Sequence, residues 1–356
     1  MICAKNRIFF QLTCTILAVS LLLGLIPGMA LSVEDVTTET LNDPQALAIL
    51  EEGGTLFFNE DFEKGNFNEW FDAWGPPEVV RDPSQAHTGN HALRCLAQYE
   101  NDDSSTSSIK YWFHPGYDKV YYRFYCKFAD NFNQGWGMHF CSLYAVKGDN
   151  KWGEMGKAGI KPEGDDRFGT GFEPWSNWES LPPPGRMQFY TYWHEMQPDI
   201  YDDNGDGIPD IHYWGNSFHP NPPFMPERDR WYCMEIMIKS NDAGQGNGEM
   251  AAWIDGQLYM HLKGFNWRTT NDLKLKRITL GVYIHNNPKA NVVWFDNVAL
   301  SDGYIGPTEQ SGDGENISQA NPAGSDSTDS QTNQNNSDGN SSGSGGCFIS
   351  AIKPIM

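Results

Sequence analysis

Positive charge is scarce in this chain. It carries 25 Lys and Arg against 46 Asp and Glu, a formal net charge of −21. Affinity for nucleic acid comes largely from Lys and Arg contacts with phosphates, so nucleic acid is not an expected partner. Such acidity keeps an exported protein soluble. It is screened over about 10 Å in salt, so it does not forbid a locally cationic cleft. Other features are missing too. No Cys-x-x-C pair or compact Cys/His spacing offers a zinc site. No G-x-S-x-G turn supports a serine nucleophile, and no glycine loop is built to cradle phosphate. Beyond residue 30 no apolar run is long enough to span a bilayer.

The two ends read differently from the middle. Residues 1–30 have a basic start at Lys5 and Arg7, an apolar stretch from Ile8 to Ile26, and small residues at Gly28-Met29-Ala30. That is the pattern of a secretory signal peptide, and it places the mature chain outside the cell or on its surface. Residues 31–56 read as a lead-in segment, with a short helix expected over Pro44–Glu52. From Thr308 to Gly346 Ser, Gly, Asn, Gln and Asp dominate and no aromatic residue occurs. Such a composition cannot bury enough surface to offset its ordering entropy, so residues 308–346 are expected to form a flexible linker. The chain then closes with a short tail, residues 347–356, that begins Cys347-Phe348-Ile349. What remains, residues 57–307, is roughly 250 residues, within the range of one all-β sandwich. A monomer is expected. Four cysteines, Cys95, Cys126, Cys141 and Cys233, fall in apparent strands of this domain. Export permits disulfides among them, and three pairings are open. The same positions also suit small buried side chains.

The domain alternates. In Arg230–Lys239, Tyr232, Met234, Ile236 and Ile238 share one face, and Cys233, Glu235, Met237 and Lys239 share the other. Met250, Ala252 and Ile254 alternate with Glu249, Ala251 and Trp253. Asp255-Gly256 follows, a strong signal for a tight hairpin turn. A period of two with mixed chemistry on the second face predicts an antiparallel sheet with one buried side and one working, aromatic-bearing side.

The RWY-x-x-E-x-x-I-K-x-N run and the W-I-D-G hairpin are joined by FNEDFEKGNFNEW, YYRFYCKFADNF, GRMQFYTYWHEMQ and VVWFDNVALSDGYIG. Together they resemble the concanavalin-like jelly rolls of polysaccharide lyase families fourteen and twenty, the alginate and glucuronan lyases. The resemblance spans about Phe57 to Asp302. It implies a two-sheet antiparallel jelly-roll sandwich acting on, or binding, a polysaccharide. One segment departs: the alginate-lyase branch carries Lys-Leu-Pro-Gly-Leu after the FADNF-like strand, where this chain reads GWGMHFCSLY with His139. The E-x-D-x-x-E signature of laminarinase-like jelly rolls is absent, although Glu235 and Glu249 offer two carboxylates on one face. The closing Cys-Phe-Ile resembles a bacterial C-terminal sorting tail, which implies attachment to the cell surface.

Three strands carry hydrogen-bonding side chains on one face. Gln188, Tyr190, Tyr192 and His194 form one such row. Arg123, Tyr125 and Lys127 form a second, and Arg277, Thr279, Gly281, Tyr283 and His285 a third. Side by side they would line a groove suited to sugars, which stack on aromatic rings and hydrogen-bond through hydroxyls. The mixture suits β-elimination from a uronic acid, which needs a base, an acid and a group that neutralises the carboxylate. The candidates are His194 or His139 as base, Tyr192 or Tyr190 as acid, and Arg123 or Lys127 as neutraliser. Gln188, Tyr125, Tyr283, His285 and Trp253 are candidate substrate contacts. Six tryptophans, including Trp74, Trp152 and Trp178, fall in loop-like, proline-flanked contexts that rim such a groove. Finally, Asp202, Asn204 and Asp206 recur at alternate positions before Gly207, and Asp210 closes the run. Alternating oxygen ligands with a glycine at the turn predict a structural calcium loop.

Overall fold

The computed structural model describes residues 34–35, 37–101 and 103–308, with side chains from Thr40 onward. The proposed signal peptide, the linker after Thr308 and the Cys347 tail lie outside the described residues.

Two large antiparallel sheets face each other. The groove sheet has eight strands among the described residues. From edge to edge these are Asn216–Phe218, Arg186–Tyr192, Arg167–Trp175, Cys141–Val146, Lys274–Ile284, Ser105–Tyr117 and Asp72–Trp74, with Met138–His139 also paired to Lys274–Ile284. The outer sheet has nine. They run Glu34–Asp35, Gln257–Phe265, Gly248–Ile254, Trp231–Lys239, Lys119–Phe128, Asn291–Ser301, His91–Ala97 and Pro77–Arg81, with Leu56–Glu60 also on Asn291–Ser301. The protein is an all-β, two-sheet jelly-roll sandwich, as the alternation implies.

Alternation builds the core because every second side chain points inward. Tyr232, Met234, Ile236 and Ile238, with Phe124 and Phe295 of the same outer sheet, share one core cluster with Phe140, Leu143, Phe172, Phe189, Ile278 and Leu280 of the groove side. All are buried. Aromatic rings fill the wide gap between the sheets. Trp267 stacks on Phe265 at 4.0 Å and lies 5.4 Å from Phe168. Buried hydroxyls on inward rings find carbonyls on the opposite sheet: Tyr122 donates to Thr279 O at 3.2 Å and Tyr259 to Met187 O at 2.8 Å. The Asp255-Gly256 turn has both residues at positive φ, 50° and 76°, the geometry that matches the twist of the strands it joins. Cys95, Cys126, Cys141 and Cys233 are buried free thiols, packed as small apolar side chains.

The outer sheet corrects one expectation. Its second face is covered rather than open. The helix Pro44–Leu50, capped by Asp43 accepting from the Gln45 and Ala46 amides, lays Leu50 against Tyr121, Met237, Ala251 and Trp253. The segment 304–308 crosses beside it. Glu235 accepts from the Ile305 and Gly306 amides at 2.9 and 2.8 Å, and Arg123 donates to the Gly306 carbonyl at 3.0 Å. The working face therefore belongs to the other sheet.

Truncating a fully buried ring that touches three others leaves a cavity the sandwich cannot close. Trp267→Ala is expected to lower unfolding stability by about 3–5 kcal/mol, measured from denaturant midpoints by circular dichroism.

Candidate active site

The groove sheet turns its other face outward, and its registers place the polar side chains in rows. Tyr190 lies opposite Gly171, which lies opposite Ser142, then Thr279, then Lys110, then Asp72. The adjacent row runs Tyr192, Gly169, Tyr144, Arg277, Trp112. Two glycines in the middle strand make the floor low. A Cβ at Gly169 would sit 2.4 Å from the Tyr144 ring, and one at Gly171 would sit 3.1 Å from the Glu173 carboxylate. The large rings of the flanking strands lean over these gaps.

At the centre, His139 Nδ1 lies 3.2 Å from Glu173 Oε2. Glu173 is almost wholly buried, whereas the His139 side chain is 42 % exposed, walled by protein but open at the groove mouth. Burial by itself would lower the His139 pKa; the adjacent Glu173 charge and hydrogen bond outweigh it and leave the pKa raised. The Glu173 contact holds the proton on Nδ1, so Nε2 of the neutral ring is left with a free lone pair. The His139 ring is 5.0 Å from that of Tyr190, and the Tyr190 and Tyr192 hydroxyls are 3.4 Å apart. Burial, and then the Tyr192 hydroxyl, pushes the Tyr190 phenol far above its ordinary range, so it stays protonated. Tyr283 and His285 stand on the far side of His139, at 6.1 and 5.0 Å between ring centroids. Burial, and then the neighbouring His139, pulls His285 down to about 4.

Cations line the same groove. Arg277 pairs with Glu154 and packs over Tyr144 at 5.1 Å. Lys110 is 3.2 Å from Asp72 and 4.1 Å from the Trp74 ring centre. Lys157 lines the groove and is exposed; it has no ion pair among the described residues.

Several expected site residues stand elsewhere. Tyr190, Tyr192, His139 and Tyr283 line the groove. Gln188 shares their face, opposite Glu173, but is buried. His194 does not join the row, because the strand ends at Tyr192. Its ring turns beside Gly164, where a Cβ would come within 3.0 Å of it, and its Nε2 lies 3.8 Å from Glu195. Arg123, Tyr125, Lys127 and Trp253 are on the outer face of the outer sheet, across the core from the groove. Arg123 and Tyr125 hold the segment 304–308, the Tyr125 hydroxyl accepting from Thr308 N at 2.8 Å. Lys127 lies between the Trp231 and Trp294 rings. Trp253 is buried and donates to Glu51 at 2.9 Å. Glu235 and Glu249 lie on this same face, the latter bound to Lys239 and His261. Glu173, Tyr144 and Lys110 are groove residues that the candidate set lacks, while Arg277, expected in the third polar row, does line the groove. The signal for Glu173 was present in RFGTGFEPW, where Gly169, Gly171 and Glu173 alternate on one face.

The acidic loop also differs from expectation. Asp202 turns inward and accepts from the Gly205 and Gly207 amides, both at 2.7 Å. Asn204 and Asp206 cap the next amides along the loop. The side chains whose ligand atoms converge are Asp203, Asp210 and His212, within 4.8 Å of one another. A hydrogen bond that the protonated Asp210 carboxyl donates to Asp203, together with burial and the Asp203 charge, raises the Asp210 pKa.

No family model matches the chain, and no curated protein matches it. Solved structures do. The marine PL-14 alginate lyase of Aplysia kurodai superimposes with a TM-score of 0.52 at 16% identity, over 71% of this chain and 100% of that one. The alginate lyase vAL-1 of a Chlorella virus gives 0.49 at 16% identity, over 69% and 99%. The endo-β-1,4-glucuronan lyase of the fungus Trichoderma reesei gives 0.45 at 16% identity, over 69% and 95%. The first of these superpositions gives the chain the fold of a polysaccharide lyase of known structure.

Replacing Glu173 with Gln removes the charge that raises His139. The imidazole of Glu173→Gln is expected to titrate at lower pH than in the parent protein, followed by NMR of the ring protons.

Proposed function

We propose that the groove binds a uronate-containing polysaccharide outside the cell and cleaves it by β-elimination. The observation that carries this reading is the Glu173–His139 pair set beside the Tyr190 and Tyr192 hydroxyls on the floor of one open groove. His139 Nε2 takes the C5 proton of the uronate. The C5–H electron pair becomes the C4–C5 double bond as the C4–O bond breaks. Tyr192 or Tyr190 gives its proton to the departing oxygen. His139 and the tyrosine then exchange protons with water to reset. Lys157, the lining cation without an ion pair among the described residues, is assigned to the substrate carboxylate, a charge that must be offset for the C5 proton to become acidic. General acid–base groups of this kind contribute roughly 10² to 10⁴ each in rate.

A second reading has its own support. Arg277 and Lys110 are already engaged by Glu154 and Asp72, which suits a groove that binds a polysaccharide without cleaving it. Alginate, glucuronan, pectate and glycosaminoglycans separate the two, by the ultraviolet absorbance of an unsaturated product. The lyase reading predicts product on at least one polymer, and a loss of about 10²-fold or more in turnover for His139→Ala and for Tyr192→Phe. No product on any polymer, with binding retained in affinity electrophoresis, transfers the groove to the binding reading.

The pH dependence follows from the Glu173 pair. The base must be deprotonated, so activity rises with pH through the raised His139 pKa. In Glu173→Gln that rise is expected at lower pH, with a lower plateau because the ring has lost its orienting partner.

A divalent cation, calcium, is proposed at the loop 202–212. Its support is the Asp203–Asp210 carboxylate pair, whose mutual repulsion a hard cation relieves; Asp202, Asn204 and Asp206 would have to leave their amide partners to join it. Calcium is expected to raise the melting temperature and a chelator to lower it. Identical melts and no metal by elemental analysis remove the ion. Export, surface attachment through the Cys347 tail and a monomeric state rest on the sequence patterns alone and belong to the same proposal.

A further inference from the structure

One end of the groove continues into aromatic rings that the proposed chemistry does not use. The His285 ring, next to His139, stacks on Trp136 at 4.9 Å and 23°. Trp136 stacks in turn on Trp178 at 5.1 Å and 17°. Trp175 closes the cluster edge-on to Trp178 at 4.9 Å. The ring series therefore runs without a break from the candidate base to the protein surface.

Its outermost member is held open by backbone geometry. Trp178 is 54 % exposed, among the largest exposures of any aromatic side chain described. Asn177, Trp178 and Glu179 have φ of 51°, 57° and 65°. Three successive left-handed residues, none of them glycine, are rare, and such geometry persists only where surrounding contacts over-determine it. Here they do. Ser176 is fully buried and its hydroxyl donates to the Trp136 carbonyl at 2.9 Å. The Glu179 and Leu181 amides return to Ser176 at 3.3 and 2.9 Å. Asn177 and Ser180 bond each other's side chain and backbone at 2.6 Å. The turn that presents Trp178 is thus tied to the very residue on which Trp178 stacks.

We propose that Trp178, backed by Trp136, is a distal sugar-stacking subsite that takes the apolar C–H face of a pyranose several units from the reacting residue. This rests on the reading of the groove as a polysaccharide site and extends it. Stacking on a flat ring does not need the sugar's carboxylate, so the subsite selects for chain length and not for charge. A binding region that runs on past the centre suits attack within a chain.

The test uses the full protein in native gels cast with sodium alginate, glucuronan, pectate or hyaluronan, with Trp178→Ala and Trp178→Phe beside the parent. Far-ultraviolet circular dichroism and melting check that the half-exposed substitution leaves the fold intact. On any polymer that retards the parent, Trp178→Ala is expected to weaken binding by roughly two- to tenfold, the range of one aromatic contact. Trp178→Phe should keep most of the affinity, because a flat ring remains. Retardation unchanged in Trp178→Ala overturns the subsite while leaving the groove as the binding site. Equal losses in both variants also overturn it, since ring stacking is then not what Trp178 supplies. A parent that binds none of the polymers overturns the groove reading itself, and the subsite with it.

Discussion

The buried carboxylate of Glu235 lies at the middle of the outer sheet and receives two amide hydrogen bonds from the segment that follows the last strand. Burial pushes its pKa up to about 7 against the pull of those amides and of Arg123. A buried carboxyl is costly without partners, and here the partners are backbone groups that lie more than sixty residues away in sequence. The contact fixes the segment 304–308 across the sheet, next to the Leu50 and Trp253 cluster. One face of the sandwich is thereby closed, and the polar chemistry is left to the other.

On that other face the arrangement depends on what is absent as much as on what is present. Gly169 and Gly171 leave the strand Arg167–Trp175 without side chains at the two positions between Tyr190, Tyr192 and Tyr144. The missing atoms make room for the flanking rings, and Glu173, the next residue on that face, carries the charge that acts on His139. The low floor and the buried carboxylate come from this one strand, and its register sets them beside the phenols and the histidine of its neighbours. A one-residue slip would turn Gly169, Gly171 and Glu173 toward the core.

Much of this was readable in the chain itself. The inward sets Tyr232–Ile238 and Met250–Ile254 follow from period two, and Asp255-Gly256 follows from turn chemistry. The grouping of Tyr190 with Tyr192, and the alternation of Arg277, Thr279 and Tyr283, came from the same rule. His139 stands out in the sequence as the residue in place of an expected motif. His194 falls outside the row although the period-two pattern continues through Trp193 and His194, because the strand has ended at Tyr192. Glu173 is hard to read from the sequence because glycines at 169 and 171 carry no side chain to reveal a face. Arg123, Tyr125 and Lys127 lie away from the groove for a different reason: their face is as polar as the groove face, and polarity alone does not say whether water or protein lies above it.

The sequence by itself determined the class of fold, the inward face of each long strand and the tight hairpin turns, because these depend on residues a few positions apart. Only the tertiary structure decided which polar face is covered and which is open. That choice is made by pairing and capping contacts between distant segments: Ile305 and Gly306 on Glu235, Leu50 on Trp253, His139 beside Tyr283 and Glu173. Contacts at such separations leave no periodic trace in the chain, since each partner alone looks like an ordinary strand or loop residue.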